Sequence, residues 1–322
     1  MKTLKLHGAL FALAAIAAFL TWTRDRPDPA TARLPLVWER DTTEVVAVRY
    51  TGPQLTLEIE RRSDEGGVFL WGRQQAGPLF ADSAGTPTAP ESLEYPVGGP
   101  GHVLVARLAS LRVIRDLGPL TPAMATRFGL DSPDEEIELR FADETRVLAV
   151  GDSAFGGADR YVHDRTSGAA WVIAAEITRP LSLGEGAIRE RWLHRYNEAD
   201  VATVRIALPD GRTREMTRTE AGEWIDPATA APDAAFANFM QRVDQLAIGG
   251  YGAAPDPVRT RPVLRADFLD DAGEALGFVE LLHDPEAGRD SWYIRSETTR
   301  IVALAVGSLA ERVEEGLTEI FR

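Results

Sequence analysis

The chain contains no cysteine. Disulfides and thiolate metal centres are therefore excluded, and so is a lipoprotein-type anchor, whose lipid is carried on a cysteine. Lysine is nearly absent as well: Lys2 and Lys5 are the only two, and every other basic residue is arginine. With no lysine past position 5 there is no P-loop lysine, no pyridoxal Schiff base and no Ser-x-x-Lys nucleophile. The five histidines, His7, His102, His163, His194 and His283, show neither i, i+4 nor H-x-H spacing, so no local metal motif exists. Positive charge is also short. The net charge is −14, and such a surface repels phosphate backbones, which argues against nucleic acid as a partner.

What is present is a chain of 322 residues, 44% of them hydrophobic, enough for about two domains with a real core. It opens with Lys2 and Lys5 and continues into an apolar run from Gly8 to Leu20, closed by Thr21 and Trp22. Charge before an apolar run is the pattern of a signal anchor, and the positive-inside bias places the N-terminus in the cytoplasm and the bulk outside. Leu4 to Trp22 approaches the roughly 20 residues that span hydrocarbon, with Trp22 suited to the far interface. The competing reading is a cleaved signal peptide, but Phe19-Leu20-Thr21-Trp22 is too bulky for a small-x-small site. The expectation is a transmembrane helix over residues 1–23 in a bacterial inner membrane and a proline-rich stalk over 24–36.

Beyond the stalk the same order of elements occurs twice. Val45, Val48 and Arg49 of one expected strand match Val201, Val204 and Arg205 of another, and a second alternating strand follows each (Leu57 to Arg62; Arg214 to Arg218). Thr51-Gly52-Pro53 and Pro209-Asp210-Gly211 supply hairpin turns, and each segment then reaches a tryptophan, Trp71 or Trp224. A helix comes next: Leu104, Leu108, Leu111 and Ile114 form one apolar stripe, and Phe236, Met240, Val243 and Leu246 another, with Asp233 as N-cap. Further strands follow in both halves, ending near Trp171-Val172-Ile173 and Ile301-Val302-Ala303. A helix closes each: Ala174 to Arg179, stopped by Pro180, and a stripe of Leu309, Val313, Leu317 and Ile320. Short turns between strand pairs specify an α+β fold of mainly antiparallel sheets, read as two β-rich repeats over 37–190 and 191–322, each with a packing helix.

That order resembles the bacterial family known as domain of unknown function 4340. The residues carrying the likeness are Phe128-Gly129-Leu130-Asp131-Ser132-Pro133, the strand ending at Val150-Gly151, Arg160-Tyr161-Val162 and Ile188-Arg189-Glu190-Arg191-Trp192-Leu193. Phe128 stands where the family pattern has tyrosine. The resemblance implies a single N-terminal membrane helix and an extracytoplasmic accessory role beside a gliding-motility-type ABC transporter. It implies no catalytic residues.

The remaining candidates for chemistry are few. Gly66-Gly67, Gly98-Gly99-Pro100-Gly101 and Gly156-Gly157 lack a phosphate-loop context and read as turns. His163-Asp164, His283-Asp284, Asp134-Glu135-Glu136 and Asp270-Asp271 read as solvated turn residues. Gly151-Asp152-Ser153 after a strand resembles the opening block of Gly-Asp-Ser-Leu esterases, with Ser153 as nucleophile. Here Ala154 replaces the leucine, and the Asp-x-x-His near the C-terminus is missing. The leading expectation is a non-enzymatic, membrane-anchored accessory protein with no cofactor, no metal and protein partners in a transporter or envelope assembly. The alternatives are a periplasmic glycan- or peptide-binding module using Trp71, Trp192 and Trp292, and third a serine hydrolase.

Overall fold

A computed structural model describes residues 34–64, 66–76, 92–252, 254–288 and 291–321. The expected membrane helix lies outside the described residues, as does the stalk up to Arg33. Among the described residues no helix is long and apolar enough to cross a membrane. Leu36, placed in the stalk by sequence, instead opens strand β1 (Leu36–Glu39). Val37 and Trp38, just past the expected end of the stalk, pack against the core.

The architecture is α+β, with antiparallel pairing throughout its sheets. After β1 come β2 (Val45–Thr51), β3 (Leu55–Asp64), β4 (Gly67–Ala76) and β5 (Leu93–Pro96), then helix α1 (Gly99–Ala109) and β6 (Ser110–Arg112). The chain continues through β7 (Arg115–Pro119), α2 (Pro122–Arg127), β8 (Glu135–Phe141), β9 (Thr145–Ser153), β10 (Arg160–Asp164), β11 (Ala169–Ile173), α3 (Ala175–Leu183) and α4 (Glu185–Ile188). These strands form a nine-stranded sheet in the order β5-β4-β3-β2-β8-β9-β10-β11-β7, while β1 and β6 pair separately. The second sheet is built from β12 (Thr203–Ala207), β13 (Thr213–Arg218), β14 (Trp224–Ile225), β15 (Ile248–Gly250), β16 (Arg261–Leu269), β17 (Ala275–His283), β18 (Trp292–Ser296) and β19 (Ala303–Ala305). Its order is β14-β13-β12-β16-β17-β18-β19-β15, and α5 (Ala234–Asp244) and α6 (Gly307–Ile320) accompany it.

Alternation drives the strands. In β3, Leu55, Leu57 and Ile59 are buried while Thr56, Glu58 and Glu60 are half-buried on the other face, as a period of two requires. Val204 and Ile206 of β12 are buried in the same way between outward residues. Helix α5 starts where Asp233 accepts the Phe236 N–H at 2.9 Å, satisfying a donor that the first turn leaves free. Its Phe236, Phe239, Met240 and Val243 are buried, and α6 lies against it with Val313, Leu317 and Ile320 inward. One contiguous apolar core runs through both sheets.

Three expectations need correction. The first apolar stripe does not stay helical: α1 ends at Ala109, Leu111 is buried on β6, and Ile114 is exposed. Pairing of β6 with β1 supplies the backbone hydrogen bonds that a longer helix would have made. Pro180 does not stop the helix before it; it sits inside α3. The helix loses the backbone hydrogen bond that proline cannot donate and ends three residues later at Leu183, where the cap Gly184 takes a φ of 61° and its N–H reaches the carbonyls of Pro180 and Leu181. The last strand begins at Ala303, not Ile301, because a turn over Glu297 to Thr299 runs into a bend at Arg300 and Ile301, with Arg300 at a φ of 56°.

Candidate functional site

The family-like segments gather in two places. Around β9 and β10 the Phe128 ring stacks on Tyr161 with centroids 4.0 Å apart, and the Phe128 carbonyl accepts the Asp152 N–H at 2.8 Å. That carbonyl presses on Gly151 so closely that any side chain there would collide with it. Arg160 donates through Nε to the Gly151 carbonyl at 2.8 Å and through its terminal nitrogen to Glu135 at 2.7 Å, while Tyr50 Oη donates to the other Glu135 oxygen at 2.8 Å. Burial, then the hydrogen bond to Glu135, pushes the Tyr50 hydroxyl pKa upward. Glu135 is therefore a partnered strand residue and not a solvated turn carboxylate. These contacts tie β2, β8, β9 and β10 together. Ser153 ends β9 in an antiparallel sheet with its side chain exposed, and among the described residues no hydrogen bond joins it to a histidine.

The second place is the connector between the sheets. The Gly98 N–H donates to the Ile188 carbonyl and the Glu190 N–H to the Pro96 carbonyl, both at 2.8 Å, pinning the connector to the first sheet. Gly98 is required there: a Cβ would stand 2.7 Å from the Arg189 carbonyl oxygen. The glycine cluster is thus not a free turn, since Gly99 begins α1 and Gly98 makes room for the connector backbone. Arg189 pairs with Glu185 at 2.6 Å and donates to the Gly249 carbonyl at 3.1 Å, reaching the second sheet. Tyr251 Oη donates to the Glu190 carbonyl at 3.3 Å, with its ring 6.3 Å from that of Tyr95. Arg300 also crosses the seam, paired with Asp64.

Within the connector, Ile188, Glu190 and Leu193 are buried. One Glu190 carboxylate oxygen accepts the Arg191 N–H at 2.9 Å and the Trp192 N–H at 3.0 Å; the other pairs with Arg195 at 3.4 Å. The Trp192 carbonyl accepts from Thr298 Oγ1 of the second sheet. The backbone of Trp192 is held on both sides, yet its side chain is 75% exposed, between the exposed Arg191 and Arg195. Packing accounts for the other apolar members of this segment and does not account for Trp192.

The remaining candidates do not converge. Trp71 and Trp292 are buried, one bonded through Nε1 to Glu94 and the other stacked on His283 at 4.1 Å, so neither offers an open face to a sugar. Asp164 and Asp284 are buried rather than solvated. Asp164 accepts from the Thr166 N–H and from Ser167 and pairs with Arg146; Asp284 accepts the Glu286 N–H and faces Arg259 at 3.5 Å. Asp270 does cap its own turn, accepting the N–H groups of Ala272 and Glu274. Among the described residues no group of three or more histidines and carboxylates could hold a metal ion.

Two cavities adjoin the connector and the residues around it. A cleft of about 640 Å3 lies at the junction, lined by Leu55, Gln74, Leu93, Leu183 and Tyr251. A smaller one of about 190 Å3 lies against the second sheet, where His194 and Tyr196 of the connector meet Arg218, Trp224, Asp244 and Phe268. Sequence reasoning missed Tyr196 and Asp244, since residues so far apart in the chain give no local spacing signal. Compared with known families, the chain matches the one described as "Domain of unknown function (DUF4340)" over residues 102–262, half of its length. No curated protein and no solved structure matches it.

Proposed function

The chain belongs to the family of domain of unknown function 4340, and from that premise we propose that it is a non-enzymatic accessory protein that binds protein partners through the connector surface around Trp192. In this reading the N-terminal helix anchors it in the inner membrane, the bulk is periplasmic, and the partner belongs to an ABC-type transporter or envelope assembly. The observation that carries the binding role is Trp192 itself. Tryptophan and arginine are the residues most enriched where truncation costs an interface its affinity, and here a tryptophan between two arginines is exposed on a backbone fixed by Glu190 and Thr298. A segment whose backbone is fixed in advance loses less entropy on binding.

The proposal includes a duplicated ectodomain, with repeats over 37–190 and 191–322. Strand order supports it. The run β4-β3-β2-β8-β9-β10-β11-β7 corresponds strand for strand to β14-β13-β12-β16-β17-β18-β19-β15, and one helix, α1 or α5, falls at the same point of each. Among the described residues, the pair β1–β6, strand β5 and helix α2 have no counterpart in the second half. Extraction of the full chain from its native membrane in mild detergent tests the function. Co-purification of an integral membrane partner, lost in Trp192→Ala, is the expected result; recovery of a lone monomer overturns the reading.

A further inference from the structure

The cavity of about 190 Å3 on the second sheet has the chemistry of a cation site. The buried Phe268 and Met240 form its floor, and the exposed Glu198 and Asp244 stand at its mouth. Its rings support one another: His194 stacks on Tyr196 with centroids 4.7 Å apart and meets Phe268 edge-on at 4.9 Å. Glu297 holds the imidazole, its carboxylate 2.9 Å from His194 Nδ1 while it also accepts the Phe278 N–H at 3.0 Å. Arg218 is already engaged. It donates to the Glu198 carbonyl at 3.0 Å, stands 3.5 Å from the Glu198 carboxylate and lies over the Trp224 ring at 5.8 Å.

Asp244 differs from these groups. Among the described residues its carboxylate has neither a hydrogen bond nor an ion pair, although it lines the cavity. It is the last residue of α5, where the helix dipole is negative and an anion is disfavoured. Burial of part of the group and the nearby Glu198 push its pKa up to about 6. The cavity lining carries two carboxylates, Asp244 and Glu198, against the guanidinium of Arg218, while Glu297 bonds His194 without lining the cavity. Aromatic faces add negative potential that favours a cation placed over them.

We infer that this pocket binds an alkylammonium group, with the ammonium on Asp244 and the methylenes along Tyr196 and Trp224. A free aliphatic amine carries that group, and so does the lysine side chain of another molecule. The chain itself has no lysine past position 5, so the occupant comes from outside the ectodomain.

The test uses the full chain with its seven tryptophans replaced by 5-fluorotryptophan, and the Trp224 resonance assigned through Trp224→Phe. At constant ionic strength, n-butylammonium chloride is expected to shift that resonance saturably, with a Kd of about 1 mM, as befits a ligand of a few heavy atoms. Butanol and sodium chloride should leave it unmoved. Asp244→Asn should weaken binding about tenfold or more, and Glu198→Gln a few-fold; unshifted signals from the other tryptophans show that each variant is folded. Nα-acetyl-lysine N-methylamide separates the sources. Binding at least as tight as butylammonium points to a lysine side chain, and weaker binding to a free amine. No saturable shift, an equal response to butanol, or an unchanged Kd in Asp244→Asn overturns the inference. Trp192→Ala should leave this titration unaltered, so the pocket and the partner surface can fail independently.

Discussion

Replacing Glu190 separates two roles of one buried carboxylate. Glu190 is only 4% exposed, and one of its oxygens accepts both the Arg191 and Trp192 N–H groups, whereas its ion pair reaches an arginine whose side chain is 68% exposed. Hydrogen bonds to a charged acceptor contribute about 1.5–3 kcal/mol each. Both donors lie near the surface and can find water when the acceptor is removed, so the lower end applies, about 3 kcal/mol for Glu190→Ala. Glu190→Gln keeps an oxygen in the same position. It loses the exposed ion pair, about 0–1 kcal/mol, and some strength in the two hydrogen bonds, for a total of about 1 kcal/mol. Relief of carboxylate desolvation enters both variants alike, which makes their difference of about 2 kcal/mol the firmer quantity. Urea unfolding measures it, as a midpoint separation of about 1 M at an m-value near 2 kcal/mol/M. Equal losses for alanine and glutamine would refute the reasoning, because they would mean that charge, and not the oxygen that fixes the Trp192 backbone, is what the connector needs.

Three further outcomes follow from the same geometry. Tyr95 is fully buried and its hydroxyl finds no partner among the described residues, whereas the Tyr251 hydroxyl reaches the Glu190 carbonyl; Tyr95→Phe should therefore be neutral or stabilising and Tyr251→Phe should cost about 1 kcal/mol, by denaturant titration. Gly98→Ala drives a methyl group against the Arg189 carbonyl and should cost about 1–3 kcal/mol by overpacking, while Gly99→Ala, with open space around it, should cost little. Asp244 has a folded pKa of about 6 against an ordinary 3.8, so the folded state holds its proton more tightly and stability falls as pH rises from about 4 to 6. Because this carboxylate is substantially exposed, solvent screening holds the effect to about 1 kcal/mol; Asp244→Asn should lack that decline, and a parallel decline in the variant would contradict the assignment.

Much of the fold was legible because its causes are local. Alternation in Leu57 and Ile59 and the Asp233 cap can be read within a few residues, and both appear where expected, although the strand opens two residues earlier, at Leu55. The short helix α2 carried a visible signal, Thr121 followed by Pro122, with the threonine hydroxyl accepting the Met124 N–H. It has no buried residue and hence no apolar periodicity to draw attention to it. The fate of Leu111 depended on a partner strand more than seventy positions earlier, and that of Gly98 on a connector ninety positions later. Asp164 and Asp284 read as surface turn residues because their charge is visible in sequence while the partners that allow their burial, Arg146 and Arg259, are not adjacent. For the site, the family-like segment drew attention to Trp192, but only its exposure among buried neighbours distinguishes it from a core residue.

The central claim is that Trp192 is a contact with a protein partner, and site-specific photo-crosslinking tests it most directly. With a benzoylphenylalanine at position 192 of the full chain in its native cells, irradiation should yield a discrete covalent adduct with a membrane-embedded protein. The same probe at Val258, which is 91% exposed on another loop, should yield none. No adduct at 192, or the same adducts from both positions, would contradict the account.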